Sequence, residues 1–140
     1  MPLFKDSEEI RQILGEFFVQ NRQHPEVGPK IKDGSLVVQF HYTDPEIIIT
    51  VDSKNPDPGY YFNVYFGSEG PEPEVTFSGK ADIGHKFWLG ELNLTAALAR
   101  RQLVAKGAIN KALKLLPALK PAYQAYKDFL LEMGRADLAS

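Results

Sequence analysis

Any chemistry in this chain would have to come from three histidines, scattered carboxylates and six tyrosines, because cysteine is absent. Its absence excludes disulfides, thiolate nucleophiles and cysteine-ligated zinc or iron–sulfur centres, and suits a reducing compartment. His24, His41 and His85 lie far apart, and none belongs to the i, i+4 pairing that holds a metal on one helix face. No metal or other cofactor is expected. His24 precedes Pro25 at a helix end and His41 falls on the polar side of a strand, so both are expected to be exposed. His85 follows Asp82 by one helical turn, a spacing that suggests a surface contact.

Serines and glycines assemble no signature either. Gly67-Ser68-Glu69-Gly70 joins two strands, so it lacks the following helix whose amides would cradle a phosphate. No serine sits in a nucleophile elbow and no dinucleotide fingerprint is present. The residue types do allow a small isomerase, with Asp44 or Asp52 as base and Tyr42, Tyr61 or Tyr65 as oxyanion donor. Such residues occur in any sheet, so no catalytic residue is assigned and the chain is not read as an enzyme.

The elements that would position these groups follow from the hydrophobic period. Ser7 with Glu8 and Glu9 forms a helix start, and Ile10, Ile13, Leu14, Phe17 and Phe18 make a one-sided stripe that ends near His24-Pro25. From Leu36 the period is two: Leu36, Val38, Phe40 and Tyr42, then Ile47, Ile49 and Val51 beyond the Thr43-Asp44-Pro45 turn. Tyr60, Phe62, Val64 and Phe66 form a third strand and Val75 with Phe77 a fourth. Short turn-rich links predict an antiparallel meander with one apolar face that needs a cover. Past Gly79 a helix carries Ile83, Phe87, Trp88 and Leu92, with Gly90 as its C-terminal glycine. Asn93 caps a short helix with Leu94, Ala97 and Leu98, and Leu103–Ala105 is a fifth strand closed by Gly107. Ile109, Ala112, Leu113 and Leu116 share a helical face as far as Pro117, and Tyr123, Tyr126, Leu130 and Met133 share a side of a last helix begun by Pro121. The fold class is α+β: a five-stranded, mainly antiparallel sheet with one face covered by an N-terminal helix and several C-terminal helices.

Composition narrows the function. A chain of 140 residues fits a single domain, 1–140, able to bury a continuous core. The formal net charge of −2 argues against a nucleic-acid partner. No stretch is long and apolar enough to span a bilayer and the first residues lack a signal-peptide pattern, so a cytoplasmic location is expected. The half before Pro71 is acidic and the half after it modestly basic, and Lys111, Lys114, Lys120 and Lys127 could give that end a transient contact with an anionic membrane surface.

In its order of elements the block from Val75 to Leu116 resembles the lipid-binding domain of the sterol carrier protein family, the nonspecific lipid-transfer type two. It runs from a strand into a helix (VTFSGKADIGHKFWLG), then a small helix (ELNLTAALARR), a strand closed by glycine (QLVAKG) and a helix (AINKALKLL). Gly79, Gly90, Leu103, Lys106, Gly107, Ile109, Ala112 and Leu113 carry most of the likeness, and the upstream hairpins agree in order. The resemblance implies an apolar tunnel between sheet and helices that takes fatty acids, fatty acyl-CoAs, sterols, isoprenoid lipids or phospholipids. The C-terminal Asp137-Leu138-Ala139-Ser140 differs from the peroxisomal address common in eukaryotic members, so peroxisomal import is not expected.

Both lines lead to binding or transfer of an apolar ligand without covalent chemistry. The expected walls are Ile49, Phe62, Val64, Phe66, Phe77, Phe87, Trp88, Leu98, Ile109, Leu113, Leu116 and Tyr123. Ordinary core packing competes with a cavity for these aromatics. The rival reading is an interaction module whose same apolar surface meets an enzyme partner, a protein helix or a second copy of the chain.

Overall fold

The computed structural model describes residues 2–139. Ser7–Ile10 and Glu16–Gln20 are α-helical, Arg11–Gly15 between them forms a π turn, and Asn21–Gln23 closes with a 3-10 turn. They run on as one helical segment, α1 (7–23). The cap is Asp6 and not Ser7: the Asp6 carboxylate accepts from Glu9 N–H at 2.9 Å, while Glu9 Oε1 reaches back to Lys5 N–H at 2.9 Å. The apolar stripe of α1 faces inward as its spacing dictates, with Ile10, Ile13, Leu14, Phe17 and Phe18 all buried.

A second helix, α2 (Gly28–Gly34), follows; its Gly-Pro opening and Gly-Ser ending had the composition of a loop. His24 starts it, for His24 Nδ1 accepts from Glu26 and Val27 N–H at 3.2 Å each. That contact leaves His24 partly buried, and His41 is also only partly exposed, against the expectation of two free surface rings.

The strands are β1 (Val37–Thr43), β2 (Ile47–Asp52), β3 (Asn63–Phe66), β4 (Val75–Lys80) and β5 (Leu103–Gly107). They form one sheet in the order β3-β2-β1-β4-β5. Only β1 and β4 pair in parallel. The expected four-strand meander is therefore corrected: β4 does not follow β3 across a hairpin but returns beside β1. Its link runs over the outer face, with Gly70 against the Tyr65 ring. This placement sets Phe77 next to Phe40, ring centroids 5.9 Å apart and nearly parallel, so the apolar side of β4 lies at the sheet centre. β3 is shorter than the alternation implied because Tyr61 N–H leaves the ladder and donates to the Arg22 carbonyl at 2.8 Å.

Register puts Val38, Phe40, Tyr42, Ile49, Val51, Val64, Phe66, Val75, Phe77, Leu103 and Ala105 on the inner face. Gln39, His41, Thr50, Asp52, Asn63, Tyr65, Thr76 and Lys106 take the other face.

The cover comprises α1, α3 (Ala81–Trp88), α4 (Leu94–Ala99), α5 (Ile109–Leu113), a 3-10 turn (Leu116–Leu119) and α6 (Lys120–Glu132). Gly90 ends α3 with φ of 79°: its N–H donates to the Phe87 carbonyl and Glu91 N–H to Lys86, the paired bonds of a left-handed C-terminal cap. Asn93 Oδ1 caps α4 by accepting from Ala96 N–H at 2.9 Å. Gly107, with φ of 94°, allows β5 to turn where an added Cβ would strike the Glu74 carbonyl oxygen. In α6 the buried face is Ala122, Tyr126, Phe129 and Leu130. Met133 lies past the helix end and is 44% exposed, so it does not share that face as expected.

Candidate ligand cavity

Where the inner face meets the helical cover, packing is aromatic but incomplete. Phe18 sits 4.9 Å from Trp88 and 5.6 Å from Phe40, and Phe40 lies 5.7 Å from Trp88, all edge to face. Beside this cluster is a cavity of about 100 Å³. Its sheet wall is Val38, Phe40, Tyr42, Val51, Phe77 and Leu103, with Leu36, Ser53 and Phe62 at the strand ends. Phe17, Phe18 and Asn21 of α1, Val27 and Ile31 of α2, and Phe87 and Trp88 of α3 form its cover. Leu94, Ala112, Leu115, Leu116, Leu119 and Ala122 complete it. In the cover Ile31, Leu115, Leu116 and Leu119 are only half-buried, as are Phe40 and Val51 on the sheet wall.

Of the residues expected to form walls, Phe62, Phe77, Phe87, Trp88 and Leu116 line this space. Ile49, Val64, Phe66, Leu98, Ile109, Leu113 and Tyr123 do not, although each packs elsewhere in the molecule. Ile49 is fully buried on the inner face. Phe66 lies beneath the Arg11 guanidinium, 4.2 Å from ring centroid to cation, and closes against Gly15. Tyr123 meets Phe87 at 6.0 Å, outside the lining. Sequence reasoning passed over Phe17, Phe18 and Phe40, although their inward stripes were visible, and had no signal for Val27 and Ile31 because α2 was not expected.

The polar groups on the lining are few. Tyr42 Oη accepts from Trp88 Nε1–H at 3.2 Å, and burial pushes its phenol well above the ordinary tyrosine range, so it stays neutral. Ser53 Oγ accepts from Leu36 N–H at 2.9 Å and donates to the Leu36 carbonyl at 3.0 Å. Asn21 Nδ2 donates to the Phe17 carbonyl at 2.7 Å. The carboxylates considered as isomerase bases sit elsewhere. Asp52 is on the opposite sheet face, accepting from Lys54 and Asn55 N–H at 2.8 and 3.2 Å, and Asp44 lies in an exposed turn. Tyr61 and Tyr65 are not in the lining.

His85 occupies a different place from the surface contact with Asp82 that its spacing suggested. It is 2% exposed. Its Nε2 lies 2.8 Å from the Leu138 carbonyl and its Nδ1 2.8 Å from Tyr126 Oη. The carbonyl can only accept, so Nε2 carries the proton and Nδ1 accepts from the Tyr126 hydroxyl. Burial holds the His85 pKa below its ordinary value. Asp82 instead accepts from Leu3 N–H at 3.0 Å. Beyond α1 and α6 lies a second, polar space, a groove of about 460 Å³ lined among others by Gln20, Gln23, His24, Gln124 and Asp128.

Among the described residues no group of three or more histidines and carboxylates could hold a metal ion, and no helix is long and apolar enough to cross a membrane.

A covered, mainly antiparallel sheet enclosing an apolar space agrees with one family model, the SCP-2 sterol transfer family, which matches residues 17–120, well over half of the chain. The chain belongs to that family. Solved structures similar to this SCP-2 chain include Sterol Carrier Protein 2 from Yarrowia lipolytica, at 19% identity and a TM-score of 0.60, covering 84% of this chain and 91% of that one. Sterol carrier protein domain 2 of Helicoverpa armigera gives 16% and 0.61, covering 81% and 89%. A stereoselective inverting sec-alkylsulfatase from Pseudomonas sp. gives 16% and 0.60, but the match covers 84% of this chain and only 18% of the enzyme. At these identities the structures establish the α+β fold. A search of curated proteins by sequence returns no match. SCP-2 membership carries lipid binding or transfer in general terms.

Proposed function

We propose that the protein, acting as one unit over its whole length, binds a single apolar chain between sheet and helices and passes it on without covalent change. The observation that carries this reading is the cavity, whose polar side chains among the described residues are Asn21, Tyr42, Ser53 and the Trp88 indole. Its volume of about 100 Å³ is below the roughly 300–1,000 Å³ of ligand pockets. Binding therefore requires an outward movement of the half-buried wall formed by α2 and the Leu116–Leu119 turn, where both elements are short. Burying an acyl chain of about 16 methylenes contributes roughly 13 kcal/mol before association costs of about 4–15 kcal/mol. The net is a modest, reversible affinity, which suits a carrier.

Exposed lysines surround that wall: Lys30 and Lys32 on α2, and Lys111, Lys114 and Lys120 beside the turn. Gly34 of α2 packs against Leu115, so the two sets lie together. They suit transient docking on an anionic membrane with the opening toward the lipid. A cysteine-free chain fits a reducing, cytoplasmic setting.

Trp88 is the sole tryptophan and lines the cavity, so it reports occupancy directly. An uncharged fluorescent single-chain lipid should quench Trp88 at a ratio of one probe per chain, and vesicles with anionic lipid should take the probe up faster than neutral ones. The small cavity volume also favours a second reading, an interaction module with a closed interior. A lipid-free dimer whose Trp88 ignores every apolar probe would establish that reading and end the first.

A further inference from the structure

Asn21, near the end of α1, is 6% exposed. Its Nδ2 donates to the Phe17 carbonyl at 2.7 Å, and this fixes the orientation of the amide. Turned over, Oδ1 would face that carbonyl oxygen, acceptor against acceptor. Oδ1 is therefore the free end, and among the described residues it is the one buried side-chain polar atom without a hydrogen-bond partner. Native interiors leave few such atoms, because a buried acceptor without a donor is unfavourable.

The position matters as much as the orphaned oxygen. Phe17 and Asn21 are the two residues that line both the apolar cavity and the outer polar groove. On the groove side stand the amides of Gln20, Gln23 and Gln124, the His24 ring and the carboxylates of Glu26, Asp128 and Glu132, and among the described residues neither space is lined by lysine or arginine. A ligand head at this junction meets an acceptor and negative charge. An ionised carboxylate there would bring no proton and would be repelled.

From this the geometry assigns Asn21 Oδ1 as the acceptor for the hydroxyl head of an uncharged single-chain amphiphile, such as a long-chain alcohol, whose tail lies in the apolar cavity. This assignment rests on the ligand-binding reading above and adds the class of head group. It makes Asn21 a specificity residue and Phe17 its neighbour at the passage.

The test compares dodecanol with its methyl ether, which keeps the chain and the neutral charge but removes the donor. Titration followed by Trp88 fluorescence should show the alcohol binding about tenfold more tightly to the wild-type protein. In Asn21→Leu, checked for folding by circular dichroism, that preference should vanish, the ratio of the two affinities falling to about one. Equal affinities in the wild type, or a preference that survives in Asn21→Leu, would overturn the assignment and leave ligand binding standing. The wild-type ratio decides the matter even where the variant fails to fold. Failure of both compounds to bind would overturn the binding reading itself, and this assignment with it.

Discussion

Two buried polar side chains of the helical layer have opposite surroundings. His85 on α3 has a partner on each ring nitrogen, Tyr126 Oη and the Leu138 carbonyl, both at 2.8 Å. Asn21 on α1 uses its amide nitrogen and leaves its oxygen without one. Around His85 three chain segments are tied into one closed network, with Phe4 edge-on to the imidazole at 5.5 Å. Around Asn21 the polar atom lies where an apolar interior meets a polar groove. A satisfied buried group holds a fold together, whereas an unsatisfied one leaves a hydrogen bond open, the bond that the proposed hydroxyl head would complete.

The largest effect should come from breaking the satisfied network. Tyr126→Phe keeps the ring but leaves His85 Nδ1 with no donor, so stability should fall by about 1–3 kcal/mol in chemical denaturation. A loss below a few tenths would mean that the His85 network is not what distinguishes the two regions.

Acid should act next, and more weakly. The His85 pKa is held below its ordinary value of 6.5, so the folded state prefers the neutral ring and the unfolded chain binds the proton more readily. The contribution of His85 is therefore complete above about pH 6.5 and is lost as pH falls from there toward its folded value. Protonation also turns Nδ1 into a donor facing the hydroxyl that was donating to it. Denaturation midpoints measured between about pH 8 and 5 should decline on the acid side, and His85→Gln should flatten that decline. A wild-type midpoint that is level across the range would contradict this.

The smallest effect should be Asn21→Leu in the ligand-free protein. It removes the bond to the Phe17 carbonyl but also removes the unpaired oxygen, so stability should change by less than about 1 kcal/mol in either direction. A loss as large as that of Tyr126→Phe would show that Asn21 is structural, as His85 is, and would erase the contrast.

Much of the architecture can be read from the order of residues, since the two-residue period fixes which side of each strand is apolar. The inner-face residues Val38, Phe40, Ile49, Val51 and Phe77 follow from alternation alone, as does the inward stripe from Ile10 to Phe18. Strand order does not, because nothing local in Gly67–Glu74 distinguishes a hairpin from a link that crosses the sheet. The closure around His85 was also out of reach: its partners, Tyr126 and Leu138, lie 41 and 53 residues away. The cavity was legible only in kind. Its walls draw on α1, on α2 and on Leu115 and Leu119, and which members of a long apolar set border empty space depends on packing details that spacing does not record. Asn21 carried no signal at all, for an asparagine near a helix end normally suggests solvent.

The topology has a further consequence for synthesis. Phe17 packs against Tyr126 at 4.7 Å and Phe129 at 5.8 Å, and β1 waits for β4 to cover its second edge. Phe17 of α1 thus meets these α6 partners only after the intervening sheet and α3 to α5 have emerged from the ribosome. Until then the Phe17 side of the α1 stripe stands unshielded, as the open flank of the β1–β2 hairpin does until β4 arrives, the state in which chains aggregate or engage chaperones. Closure of α1 onto α6 is therefore late, and nascent chains stopped before Tyr126 should be the ones that holdase chaperones retain.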